Sequence, residues 1–255
     1  RTVYFIFTAS PQGDDGTFPT DKKGFRYSIV DLNLDDGYGD VIEKNTLLWT
    51  STSEKIAATL HGNGKDVWVV MHEWKSNVFH SFLVTESGIR EHSTLSRVGI
   101  VHNKERDIGG IIYTVDAIGQ MKISPNGEKL ALALFESNVV EIFGFDNTTG
   151  NIFNAVTIDE LGEPYSLNYG FEFSPNNNFL YISEAGAFVY QVDITNLPQR
   201  KITQLGSTLP TIGRPSGLQL APDGKIYVAH RDFDYIGVIN NPNVDGVDCE
   251  YVANA

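Results

Sequence analysis

The sequence predicts an all-β protein, a β-propeller of four-stranded antiparallel blades, and three observations carry that expectation. One phrase recurs: an apolar alternating segment, a tight turn of Pro, Asn, Asp and Gly, then a second apolar segment. Its copies return at a spacing close to the roughly 40–50 residues of a propeller blade. Apolar residues at i, i+3 and i+4 are nowhere sustained, so helices have no support. A two-sheet sandwich would also explain the strands, but not the period.

The copies read MKIS-PNGE-KLALAL (121–134), FEFS-PNNN-FLYIS (171–183) and LQLA-PDG-KIYVA (218–229). A looser one, TLH-GNGK-DVWVV (59–70), keeps the Asn-Gly pair and replaces Pro with Gly62. Asn-Gly and Asp-Gly supply the positive φ of a tight hairpin, and the preceding Pro fixes φ at turn entry. Aligned on His61, Ser124, Ser174 and Ala221, the copies lie 63, 50 and 47 residues apart.

Each hairpin leads to a third strand and a second turn: FHSFLVTESG (79–88), VEIFGFDNTTG (140–150), VYQVDITN (189–196) and IGVINNPNVDG (236–246). FRYSIVDLNLDDG (25–37) matches them and trails TVYFIFT, which fits a second strand. Further short strands follow, such as VIEKNTLLW and NAVTID. Five blades result, at about 1–50, 54–97, 117–160, 168–206 and 215–255 of one domain. The first lacks its innermost strand and the last stops after its third, so the expectation is part of a six- or seven-bladed ring. RTVYFIFTAS is too short an apolar run for a signal peptide and reads as a strand already under way.

Composition narrows the partners. The 255 residues hold 19 basic and 32 acidic side chains, a net charge of −13, which repels phosphate backbones and anionic membranes. Nucleic acid and membrane insertion are therefore not expected, and no run reaches the ~18 apolar residues of a spanning helix. Cys249 is the single cysteine, so neither a disulfide within the chain nor a Cys-based zinc site can form.

Several phrases go further than a generic propeller. YFIFT with FRYSIVDLNLDDGYGDVIEKN, EKIAATLHGNGKDVWVVMH, IGQMKISPNGEKLALALF with FGFDNTTG, YGFEFSPNNNFLYIS with VYQVDIT, and LQLAPDGKIYVA with IGVINNPNVDGVDCEYV form one set. In these the chain resembles the propeller region of Bacteroidetes surface proteins that end in a type IX secretion (gliding-motility-associated) sorting domain, with WD40/YVTN-like repeats. The resemblance is weakest at 90–117. It implies export to the cell surface or medium and further domains of the same polypeptide. It implies no activity, cofactor or catalytic residue.

Candidate site residues follow from topology. In an antiparallel blade the Pro-Asn-Gly turns share one face, and the ends of the second strands and the inter-blade loops share the other. Longer, variable loops carry function more often than short regular turns. The second face holds His72, Glu73, Trp74, Glu136, Glu184, His230, Arg231 and Asp232, with His102 and Arg106 in the long insertion at 96–117. These residues read either as a polar ligand site drawn from several blades or as a solvated rim, since no spacing rule ties them together. The insertion reads as a binding element or a disordered excursion.

Other motifs fail. Gly62-Asn63-Gly64-Lys65 has neither the length nor the helix of a phosphate loop. DLNLDDGYGD lacks the EF-hand layout. Ser28, Ser124 and Ser174 have no nucleophile elbow. Asn147-Thr148-Thr149 reads as turn chemistry rather than a glycosylation site. Trp68 reads as core, and Trp74 as the better ligand contact.

No metal, cofactor or catalytic set is therefore expected. The leading reading is a non-catalytic binding or scaffold propeller, secreted or at the cell surface, contacting a protein or glycan. The alternative is a lactonase- or lyase-like propeller enzyme using His72, Glu73, Glu136, Glu184, His230 and Arg231 at the channel mouth. A structural spacer is the third.

Overall fold

A computed structural model describes residues 2–10, 23–161, 168–184, 188–206, 214–231 and 233–255. Among the described residues, five successive antiparallel sheets form the blades of a β-propeller. The first blade has three strands, β1 (Val3–Thr8), β2 (Phe25–Asp31) and β3 (Asp40–Trp49). The second runs β4 (Ile56–Leu60), β5 (Val67–His72), β6 (Val78–Thr85), with β7 (Gly88–Ile89) and β8 (Thr94–Arg97) both pairing on β6.

The insertion is ordered enough to carry a small hairpin, β9 (Arg106–Ile108) and β10 (Ile111–Tyr113). The third blade follows as β11 (Met121–Ile123), β12 (Lys129–Leu134), β13 (Val139–Asp146) and β14 (Asn151–Ile158). The fourth is β15 (Asn168–Phe173), β16 (Phe179–Glu184), β17 (Val189–Asp193) and β18 (Ile202–Leu205). The fifth is β19 (Arg214–Leu220), β20 (Ile226–Arg231), β21 (Ile236–Ile239) and β22 (Tyr251–Val252). Its fourth strand is the short β22, so that blade continues past its expected third strand.

The repeated Ser-Pro-Asn phrase has a local cause. Ser124 Oγ donates to Asn126 Oδ1 (2.7 Å) and accepts from the Lys129 N–H (2.9 Å). Ser174 Oγ makes the same pair with Asn176 Oδ1 (2.7 Å) and the Phe179 N–H (2.9 Å). The serine thus closes the turn from within.

The turns also join neighbouring blades. The Asn126 N–H donates to Asn177 Oδ1, the Asn176 N–H to Asn243 Oδ1, and the Gly62 N–H to the Asn147 carbonyl. The repeat is a stitching device for this face of the ring.

Burial follows position in the array. Lys129–Leu134 shows no alternation beyond its first residue, because the middle blade is covered on both faces by Ala57, Val70, Phe171 and Leu180 among others. Burying each Leu or Phe there contributes about 1.5–3 kcal/mol. The first blade is covered on one face only, where Phe7 and Phe25 meet Val69, Met71 and Phe82 of the second. Its other face leaves Tyr4, Ile6, Val41 and Leu47 exposed. Ile236 and Val252 are exposed likewise on the outer face of the fifth. Cys249 is buried between blades four and five, and burial raises its thiol pKa.

Candidate functional site

The face opposite the stitched turns carries the candidate residues, and the structure gathers them into separate groups. At the seam of blades two and three, His72 ends β5 and meets His102 from the insertion. Their rings stack at 3.8 Å and 18°, both fully buried. None of their four ring nitrogens has a hydrogen-bond partner. His102 Nε2 lies 3.5 Å from Glu141 Oε2 on β13, while Glu141 Oε1 accepts the Ile100 N–H (3.1 Å).

Gly99 lets the insertion pass this close. Its φ is +84°, and a Cβ there would sit 2.8 Å from Glu141 Oε1. Below lies Lys55, wholly buried, whose Nζ donates to the carbonyls of Asp116 (2.6 Å) and Ile118 (3.1 Å).

Burial sets the charge state of this group. It drives His72 and His102 well below the ordinary histidine range, with the Lys55 charge adding to the effect, and His102 also feels His72. Burial pushes the Glu141 carboxyl up to about 7, against the Ile100 N–H that favours its charged form. Burial likewise lowers Lys55 to about 7, opposed by Asp116.

A metal ion must lie near the plane of each imidazole that binds it. Two stacked rings cannot both meet that condition for one ion. Among the described residues, no group of three or more His, Cys, Asp or Glu is placed to hold a metal.

Several other charges of the insertion are matched. Arg106 pairs with Glu136 (2.7 Å), Lys75 with Glu105 (2.9 Å), and Lys104 Nζ donates to the Glu136 carbonyl (2.6 Å). Asp116 accepts the Lys104 N–H and the Ser137 hydroxyl. Above this base the insertion exposes Ile100, Val101, Ile108, Ile112 and Tyr113.

Glu73 stands with His80 rather than with His72 (His80 Nε2–Glu73 Oε2 3.9 Å). Trp74 is half-buried, and its carbonyl accepts the Ser51 hydroxyl. Glu184 is buried and accepts the Tyr190 hydroxyl (3.1 Å). His230 packs on Tyr235 (5.2 Å) within blade five, beside the exposed Arg231. Asp232 lies outside the described residues.

The channel between the inner strands is a cavity of about 630 Å³, lined by Glu54, Gln120, Lys122, Tyr169, Glu172 and Gln219 with apolar neighbours. Lys122 Nζ donates to Glu172 Oε2 (3.0 Å) and Gln219 Oε1 (2.9 Å). Glu172 also accepts the N–H groups of Phe173 and Leu220. Lys122 thus joins β11, β15 and β19. None of the ten candidates lies among the described residues lining this cavity.

Sequence reasoning missed Lys55, His80, Glu141, Lys122 and Glu172. A signal existed for one of them: VFHSFL places His80, with Ser81, inside an otherwise apolar strand.

Compared with protein-family models and with curated proteins, the chain matches none. Solved structures do resemble it. A protein from Lactobacillus plantarum aligns at TM-score 0.57 and 16% identity, over 84% of this chain and 60% of that one. A proposed 6-phosphogluconolactonase from Bacteroides uniformis aligns at 0.55 and 19%, with the same coverage. Streptogramin B lyase aligns at 0.50 and 12%, over 95% and 86%.

At these identities the likeness is one of fold, the β-propeller. The chain spans 60% of the length of the first two. These similarities extend to the propeller, not to the type IX sorting family.

Proposed function

We propose that this propeller is a binding module of a secreted or cell-surface protein, and that its inter-blade-loop face contacts a protein or glycan. One observation carries the reading. The His and acidic groups that would perform chemistry on this face are buried or held in internal pairs, while the insertion above them presents apolar side chains to solvent. A hairpin on a rigid base, tipped by Gly109-Gly110 and flanked by Ile108 and Ile112, suits recognition rather than turnover.

The test replaces residues 106–113 by a short Gly-Ser link and measures binding of the labelled domain to intact bacterial cells and to a glycan array. Loss of binding in the variant supports the reading. Binding that is unchanged, or absent from both proteins, overturns it.

A second reading, a lactonase- or lyase-like enzyme, is favoured by the polar channel and by the fold it shares with streptogramin B lyase. It predicts turnover of a lactone panel that Lys122→Met or Glu172→Gln abolishes. His72→Ala and His230→Ala test the other candidate groups. No turnover on the panel sinks it.

A further inference from the structure

At the seam of blades one and two, a tryptophan stands at the end of β3 with polar groups gathered around it. Trp49 is 38% exposed and packs against His80 (ring centroids 4.1 Å). His80 in turn stacks on Phe82 (6.0 Å, 14°), which meets the buried Phe25 (5.6 Å). This row of rings fixes the indole to the core and leaves part of it open to solvent.

His80 is buried. Its Nδ1 lies 3.0 Å from the Ser93 hydroxyl, and its Nε2, which has no hydrogen-bond partner, is 3.9 Å from the Glu73 carboxylate. Glu73 is partly exposed at 25%. Arg97 is exposed where β8 pairs with Val78, at the start of β6, and its charge reaches His80. Trp74 follows Glu73 directly and is tied to the chain just after Trp49 through Ser51.

We propose that this seam is a pyranose-binding subsite: Trp49 stacks on the C–H face of a neutral sugar ring, and Glu73 and Arg97 bind its hydroxyls. This rests on the binding-module reading and names its ligand class. An indole with one part anchored and another wet offers large apolar contact at low entropic cost. An ionised carboxylate accepts from a hydroxyl, and a guanidinium donates to one, both as charge-assisted bonds. His80 is a positioning residue that holds the indole, Ser93 and the carboxylate in one arrangement.

Saturation-transfer NMR on the full chain tests this, with methyl β-glucoside, methyl β-galactoside, methyl β-N-acetylglucosaminide and chitobiose as probes at millimolar concentration. The expected result is transfer concentrated on the C–H protons of one ring face for at least one probe. Trp49→Ala should abolish it, Trp49→Phe should retain part of it, and Glu73→Gln should weaken binding about 10- to 100-fold, the range for one charge-assisted bond.

Circular dichroism and the melting temperature separate a folded variant from an unfolded one, and Trp49→Phe keeps the test decisive if Trp49→Ala unfolds. Absence of transfer from every probe, or transfer unchanged in a folded Trp49 variant, overturns the subsite. If that happens while hairpin-dependent binding to cells persists, the binding-module reading stands without it.

Discussion

The buried pair His72–His102 makes stability depend on pH in a direction that can be worked out. Both rings are neutral in the fold, with pKa values well below the ordinary histidine value. Their contribution is therefore full above about pH 6.5, where the unfolded chain is neutral too. It is lost as pH falls from there toward the depressed folded value. Between pH 7 and pH 5, each histidine that charges only on unfolding withdraws about 2 kcal/mol.

Glu141 acts in the opposite sense. Its folded pKa is about 7, so its contribution is full at low pH and is lost as pH rises through about 7. From pH 7 to pH 5 it returns about 2 kcal/mol, because the fold takes up a proton that the unfolded carboxyl, near 4.3, does not. Lys55, at about 7, costs stability mainly between its unfolded value and pH 7. It changes little below that.

The group as a whole should thus lose about 2 kcal/mol on acidification to pH 5. His102→Phe keeps a ring against His72 and removes one titration, so its profile should lie flatter by about 2 kcal/mol over that range. Glu141→Gln removes the compensation and should steepen the loss to about 4 kcal/mol. Urea unfolding followed by tryptophan fluorescence at pH 7, 6 and 5 measures this, and all other titrations cancel in the comparison with the parent protein. Parallel profiles for all three proteins would refute the assignment of charge states.

Gly99→Ala should lower stability by about 1–3 kcal/mol, since it sets a side chain at positive φ against the Glu141 carboxylate; chemical denaturation reads this directly. Trp68→Phe removes the indole bond to the Asn147 carbonyl (2.8 Å) and should cost about 1 kcal/mol or somewhat more in the same assay. Lys122→Met leaves the buried Glu172 carboxylate without its cation and should cost about 1–3 kcal/mol, with the double variant carrying Glu172→Gln recovering part of the loss. Ile6→Lys on the uncovered face of the first blade should change unfolding stability by less than about 0.5 kcal/mol. It should also reduce concentration-dependent self-association, measured by light scattering.

How much of this could be read from the sequence depends on what each residue answers to. Ser124 and Ser174 were legible because their partners lie two and five residues away, Asn126 with Lys129 and Asn176 with Phe179. A repeated local need leaves a repeated local phrase. The blade fold follows from the same phrases, since hairpin turns and strand lengths are short-range properties.

Glu141 was not legible. β13 is covered on both faces, so the alternation that sorts inward from outward side chains on a half-buried strand has nothing to report. His72 and His102 were both named from topology, yet as members of an open rim. Their stacking depends on the insertion folding back between two blades, a contact that spans 30 positions of the sequence.

The same distinction bears on function. Catalysis on this face would need a titratable group that is both perturbed and reachable. Here the two properties are separated. The strongly perturbed groups, Lys55, His72, His102 and Glu141, are each no more than about 1% exposed and close the seam that holds the insertion in place. Of the reachable ones, Lys75, Arg106 and Glu105 are engaged in surface ion pairs, worth about 0–1 kcal/mol each.

Beside these charges the face exposes aromatic and aliphatic side chains, Trp49 at one seam, and Ile108, Ile112 and Tyr113 on the hairpin. Such a division supports the binding-module reading proposed above. The two imidazoles at the seam stay neutral in the fold, so they hold the insertion without the desolvation cost that a charged pair would carry there. Acid would charge the two imidazoles and so weaken the seam that holds the insertion.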